Sequence, residues 1–89
     1  MYKIFFEKRV LKFLEKHKWE KIISQLEKSM EKLKLNPLDK ELDIKILKWF
    51  EWKYRLRIWD YRFVYEINES EIIIIFIHAW SRWDIYKKH

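Results

Sequence analysis

No glycine, cysteine or threonine occurs in this chain of 89 residues, and proline occurs once, as Pro37. The absence of cysteine excludes a disulfide framework and a thiolate metal site, and is expected of a cytoplasmic protein. The longest apolar run, 72–77, is far too short to span a bilayer. The opening segment MYKIFFEKR has neither the apolar length nor the small-residue cleavage site of a signal peptide. The missing glycine is the abnormal feature, because about 7% is ordinary. Turns that require positive φ must then be made by residues that resist it. Six tryptophans are present, and several stand where a turn residue belongs, as in IWDYR and AWSRWDIY. The reading is that tryptophan has replaced glycine at such positions, which predicts a chain less stable or less active than a glycine-bearing parent. The competing reading, tryptophans that stack on nucleic-acid bases, is disfavoured by where they fall.

The residues that are present make a globular, basic protein. Hydrophobic residues are 49% and aromatics 19%, ruling out a disordered chain, and the net charge is +6. Such a charge favours a polyanionic partner: nucleic acid, an anionic membrane or an acidic protein. The length suits a single domain over residues 1–89. Three histidines are scattered without helical pairing, so no metal site is expected.

Periodicity predicts β-α-α-β-β-β. A short strand over 2–6 precedes a helix over 7–17, with Val10, Leu11, Phe13 and Leu14 on its inner side. A second helix runs from about Trp19 to Leu35 through Ile22, Ile23, Leu26, Met30 and Leu33. Asn36-Pro37 ends it. A connector over 38–48 contains Ile44 and Ile46, candidates for a short strand. Strands over 54–58 and 61–67 form a hairpin about Trp59-Asp60. After a turn at 68–70, the strand 71–77 is apolar without alternation, so it is expected to be central and buried on both faces. Residues 78–83 read as a polar loop and 84–89 as a basic tail. The fold class is α+β, two helices on one face of a mostly antiparallel sheet.

The hairpin, KYRLRIWDYRFVYE, carries the chemistry. Folding it about its turn sets Arg57 opposite Arg62 and Leu56 opposite Phe63. One face then holds Tyr54, Leu56, Ile58, Tyr61, Phe63 and Tyr65. The other holds Lys53, Arg55, Arg57 and Arg62. Arginines opposed across a ladder repel and weaken the sheet. Their retention points to an external anion, and phosphate matches the guanidinium fork. An ordinary solvated sheet surface is the alternative reading of the same residues.

The segment LKWFEWKYRLRIWDYRFVYEI and the ending HAWSRWDIYKKH resemble the RelE/ParE toxin superfamily over nearly the whole chain. The match follows L-K-G-x-x-x-x-Y-R-L-R-x-G-D-Y-R-x-x-Y and a later G-x-R-x-x-x-Y, with tryptophan at Trp49, Trp59 and Trp80 where the pattern has glycine. The resemblance implies the toxin of a type II toxin–antitoxin pair. The RelE branch cleaves mRNA in the ribosomal A site, and the ParE branch inhibits DNA gyrase. The motif places catalytic positions at Arg55, Arg57, Arg62, Arg82 and Tyr86, with Lys53, His78, Lys87 and Lys88 as RNA-binding candidates. The implied partners are a RelB-like antitoxin, the ribosome and mRNA, with no membrane, metal or other cofactor. The implied chemistry is metal-free attack of the 2′-hydroxyl on its own phosphate, with cationic stabilisation of the phosphorane. Arginine stays protonated, so Arg57 does not serve as a simple base. His78 titrates near neutrality without perturbation, though a structural role suits it better. A catalytically impaired chain that only binds its antitoxin is the remaining alternative.

Overall fold

A computed structural model describes residues 1–47 and 52–82. The elements are β1 (Lys3–Phe6), α1 (Lys8–Lys16), α2 (Ile22–Leu35), β2 (Asp43–Ile46), β3 (Lys53–Ile58), β4 (Tyr61–Asn68) and β5 (Ile73–Ser81). They form a five-stranded sheet in the order β1-β5-β4-β3-β2. β1 runs parallel to β5 and every other neighbouring pair is antiparallel. The helices cover one face. The Ile44–Ile46 candidate supplies the outer strand β2, pairing Ile44 with Leu56.

The core follows from alternation in the strands and the 3.6-residue period in the helices. Leu56, Phe63, Tyr65, Ile74 and Phe76 point from the sheet into the same interior as Val10, Phe13, Ile22, Leu26 and Leu33. Phe63 and Phe76 meet edge to face, and Phe13 packs edge-on against Phe63. Tyr65 is fully buried, and its hydroxyl donates to the Pro37 carbonyl at 2.6 Å. That bond fixes the chain just after α2 to the middle of the sheet. Burial pushes the Tyr65 phenol above its usual range.

Several expected boundaries move. Leu11 is exposed, because the buried stripe of α1 runs through Val10, Phe13 and His17 and leaves Leu11 about 100° off it. α2 begins at Ile22, three residues after Trp19, which stands 90% exposed in the interhelical turn. His17 to Glu20 is bent into a tight turn there, closed by Glu20 N–H donating to the His17 carbonyl at 2.9 Å. β5 does not stop at Ile77; it continues to Ser81, and the polar loop expected over 78–83 is strand through Ser81. A bulge makes this possible. Val64 pairs with His78 while Tyr65 pairs with Phe76, so Ile77 is the extra residue. The bulge breaks the alternation that sequence reading depends on. β5 has strands on both sides, but only Ile74 and Phe76 of its apolar run are buried, and the other face is half-open.

Positive φ occurs, among the described residues, at Trp52 (69°), Trp59 (54°) and Ile72 (57°). Trp59 has positive φ and Asp60 does not, the sign pattern of a II′ hairpin, whose first central residue is ordinarily glycine. Trp59 and Trp52 thus match the glycine-replacement reading. Trp80 does not, since it sits in extended strand opposite Arg62, and Trp19 has no positive φ. Trp49 and Trp83 lie outside the described residues, as does the tail 84–89.

Left-handed backbone costs a non-glycine residue roughly 1–2 kcal/mol. Trp59 is also half-exposed, so little burial is lost on its removal. Trp59→Gly is therefore expected to stabilise the chain by about 1 kcal/mol, a rise in Tm of about 4–8 °C. Trp80→Gly, in a strand, is expected to lower Tm. Thermal unfolding of the two variants beside the parent checks both, and a drop for Trp59→Gly contradicts the strain argument.

A candidate phosphate-binding site at the hairpin turn

The face of the sheet away from the helices carries the residues singled out from the sequence. The observed register of β3 and β4 sets Arg57 opposite Arg62, Arg55 opposite Val64 and Lys53 opposite Glu66. β2 adds Asp43 opposite Arg57 and Lys45 opposite Arg55. β5 adds Trp80 opposite Arg62 and His78 opposite Val64.

The two-residue turn Trp59-Asp60 organises the arginines. Its first carbonyl, that of Trp59, accepts Arg57 Nε–H at 3.3 Å and Arg62 Nη1–H at 3.2 Å. Arg62 Nη1 also donates to the Tyr61 carbonyl at 3.3 Å. The second carbonyl, that of Asp60, accepts the backbone N–H of Arg82 at 2.8 Å. The Arg82 guanidinium lies 4.0 Å from the Asp60 carboxylate. Three arginines from three places in the sequence therefore meet at one turn. A carbonyl carries only partial negative charge, so two guanidinium groups around it keep most of their charge for another partner.

Arg55 stands differently. Its Nη2 donates to Asp43 at 3.2 Å, while its Nε is buried with no hydrogen-bond partner. A buried donor left unpaired is costly. Lys53 Nζ lies 3.5 Å from Glu66. The face expected to be cationic also contains Asp43 and Glu66, each beside a base. β2, whose strand character was open in the sequence, brings Asp43 there. His78 lies on the same face and its ring sits 4.9 Å from that of Trp80. Arg55, Arg57, Arg62, Arg82, Lys53 and His78 therefore share one surface. Tyr86, Lys87 and Lys88 lie outside the described residues.

A bracket missed by sequence reading holds the turn from behind. The Tyr61 hydroxyl donates to Glu20 Oε1 at 2.5 Å, and His17 Nδ1–H donates to Glu20 Oε2 at 2.7 Å. The His17 and Phe13 rings pack edge-on against Tyr61. Tyr61 is the residue between the turn and Arg62, so the interhelical turn is tied to the hairpin end. The only sequence signal was a histidine three residues before an acid.

In architecture this is a helix-on-sheet protein whose open face gathers arginines about a hairpin turn, and comparison with known proteins assigns it further. Residues 4–86 match the family described as the ParE toxin of the type II toxin–antitoxin system, parDE. The toxin in the RelB–RelE antitoxin–toxin complex from Methanococcus jannaschii is 31% identical, with a TM-score of 0.75 covering 93% of this chain and 95% of that one. The archaeal RelE–RelB complex from Pyrococcus horikoshii gives 24% identity and a TM-score of 0.78, over 91% of this chain and 94% of the other. The isolated E. coli RelE toxin shares the fold at 21% identity and a TM-score of 0.70, over 99% and 94%. No curated protein sequence matches. The chain belongs to the RelE/ParE superfamily of toxins from type II toxin–antitoxin systems.

The bracket makes a pH prediction. The Tyr61 hydroxyl first, and then His17, hold the Glu20 carboxyl below its ordinary value of 4.5. A folded-state pKa below the unfolded one contributes stability that is full above the unfolded value and is lost as pH falls through the folded value. Stability is therefore expected to fall as pH drops below about 4.5. Glu20→Gln is expected to flatten that part of the profile. Urea unfolding across pH 3–6 checks this, and parallel profiles for the two chains contradict it.

Proposed function

We propose that this toxin cleaves mRNA in the ribosomal A site, using the arginines of the hairpin turn to grip the scissile phosphate. The observation that carries the reading is the meeting of Arg57, Arg62 and Arg82 at Trp59-Asp60 on the open face of the sheet. The 2′-oxygen of the message attacks the adjacent phosphorus, the bond to the 5′-oxygen breaks, and a 2′,3′-cyclic phosphate is left. The phosphorane formed on the way carries an additional negative charge. Arg57 and Arg62 exchange their shared carbonyl for phosphate oxygens, giving stronger charge-assisted bonds. Arg55, held through one arm by Asp43, adds positive charge behind the phosphate. Arg82 neutralises the departing oxygen, and Tyr86 orients or moves the proton of the 2′-hydroxyl. No arginine acts as base, because guanidinium does not lose its proton in proteins. Alignment of the message by the ribosome supplies the rest of the acceleration.

The toxin acts in the cytoplasm and is neutralised by a RelB-like antitoxin. Support for that partner comes from the archaeal RelE proteins, which were crystallised with RelB. A net charge of +6 suits an antitoxin with an amphipathic segment and acidic residues.

Arg62→Ala and Arg82→Ala are each expected to reduce cleavage by on the order of 10²-fold or more, the scale of losing one donor to a developing oxyanion. Primer extension on mRNA incubated with purified ribosomes checks this, and intact message with the parent chain contradicts the reading. The ParE description of the matched family favours a second one, a toxin that inhibits DNA gyrase without chemistry. A supercoiling assay separates the two.

A further inference from the structure

A groove of about 380 Å³ crosses the open face of the sheet toward the end of the hairpin away from its turn. Its apolar lining is Leu47, Val64 and Ile77. Glu7 and Arg9 come from the start of α1, and Lys53 and Glu66 from the facing strands. His78 completes it. It exists because β1 ends at Phe6, leaving the bulged residue Ile77 and its successor without a β1 neighbour.

Two features separate this groove from the arginine site. Its fixed charges balance, with Glu7 and Glu66 against Arg9 and Lys53, so it offers a phosphate no net attraction. Its walls combine apolar surface and an imidazole with both hydrogen-bond acceptors and donors. That set suits a flat, uncharged, partly apolar group bearing donors and acceptors on its edge. Its position supplies the connection. His78 pairs with Val64, and the next outward pair is Trp80 with Arg62. One pleat, about 6.8 Å along the strand, separates the near edge of the groove, Val64 and His78, from Arg62, and Glu66 and Lys53 lie two residues further from the turn.

We propose that this groove is a nucleobase subsite, holding a base that bears an exocyclic amine from a nucleotide next to the gripped phosphate. The inference rests on the phosphate-gripping reading above and adds where the neighbouring base goes. The Glu7 or Glu66 carboxylate accepts from the amine, as acidic side chains do with the cytosine amino group. Arg9 and Lys53 donate to ring acceptors. His78 stacks on the base, as aromatic side chains do in single-strand recognition. Uracil has no exocyclic amine to donate to the carboxylate.

Amide NMR titration of the full chain with three separate probes tests this: inorganic phosphate, cytidine and uridine. Cytidine is expected to shift the amides of Val64, Ile77 and His78, with uridine binding several-fold more weakly. Phosphate is expected to shift those of Arg57 and Arg62. Glu66→Gln is expected to narrow the gap between cytidine and uridine, and Arg9→Ala to weaken cytidine while leaving the phosphate response intact. Cytidine that leaves Val64, Ile77 and His78 unmoved overturns the groove, whatever phosphate does. Equal responses to cytidine and uridine overturn the role given to the carboxylates. A missing phosphate response counts against the arginine site instead, so the two failures are distinguishable.

Discussion

Two arginines face each other across an antiparallel ladder, and one backbone carbonyl lies between their side chains. Opposed like charges weaken a β-pair, so Arg57 and Arg62 are a liability to the sheet taken alone. The Trp59 carbonyl accepts from both and offsets part of that repulsion. It does so without neutralising either cation. The rest of the outer face depends on this compromise. The turn must be tight enough to aim its carbonyls at the guanidinium groups, and its first residue adopts positive φ to do so. Asp60 then brings in Arg82 through its own carbonyl. A cationic cluster is thus organised by two neutral backbone acceptors.

Acidic residues divide the surface into parts. Asp43 takes one arm of Arg55 and Glu66 sits beside Lys53, while the turn sets one carboxylate, Asp60, among three arginines, so positive charge is left densest there. Away from the turn, charges balance and apolar area increases. Phosphate and base have those same contrasting chemistries, one a compact anion and the other flat and uncharged. Behind the sheet, the Tyr61–Glu20–His17 bracket ties the turn to the interhelical corner. The scaffold therefore fixes Arg62 from both sides: through the ladder in front and through its neighbour Tyr61 behind.

Much of this was legible in the sequence. Alternation on both sides of Trp59-Asp60, broken only at Val64, gave the hairpin register residue for residue, because a one-residue slip would have turned every arginine into the core. The helices were visible from their apolar spacing. What failed did so for local reasons. The end of β5 was hidden because the bulge at Ile77 shifts the alternation, and His78 and Ser81 then look like loop. The start of α2 was blurred because no side chain caps it. Leu11 was misplaced because four apolar residues on one short helix do not all fit one stripe. In the site, residue types were readable but their partners were not. Asp43 reaches Arg55 through a strand with weak sequence signal. Carbonyl acceptors, which organise the arginines, leave no trace in side-chain identity. Tryptophan at glycine positions was evident from composition, yet only Trp52 and Trp59 have the backbone that such a position requires among the described residues.

The salt dependence of single-stranded RNA affinity tests most directly whether these guanidinium groups grip phosphate. For single strands, log K falls against log salt with a slope of about −0.7 per phosphate neutralised. With a non-cleavable oligonucleotide, Arg62→Ala is expected to make the slope shallower by about 0.7, and Arg57→Ala by a similar amount. A slope that is unchanged in both variants would show that these side chains do not meet phosphate, and the account of the turn would fail.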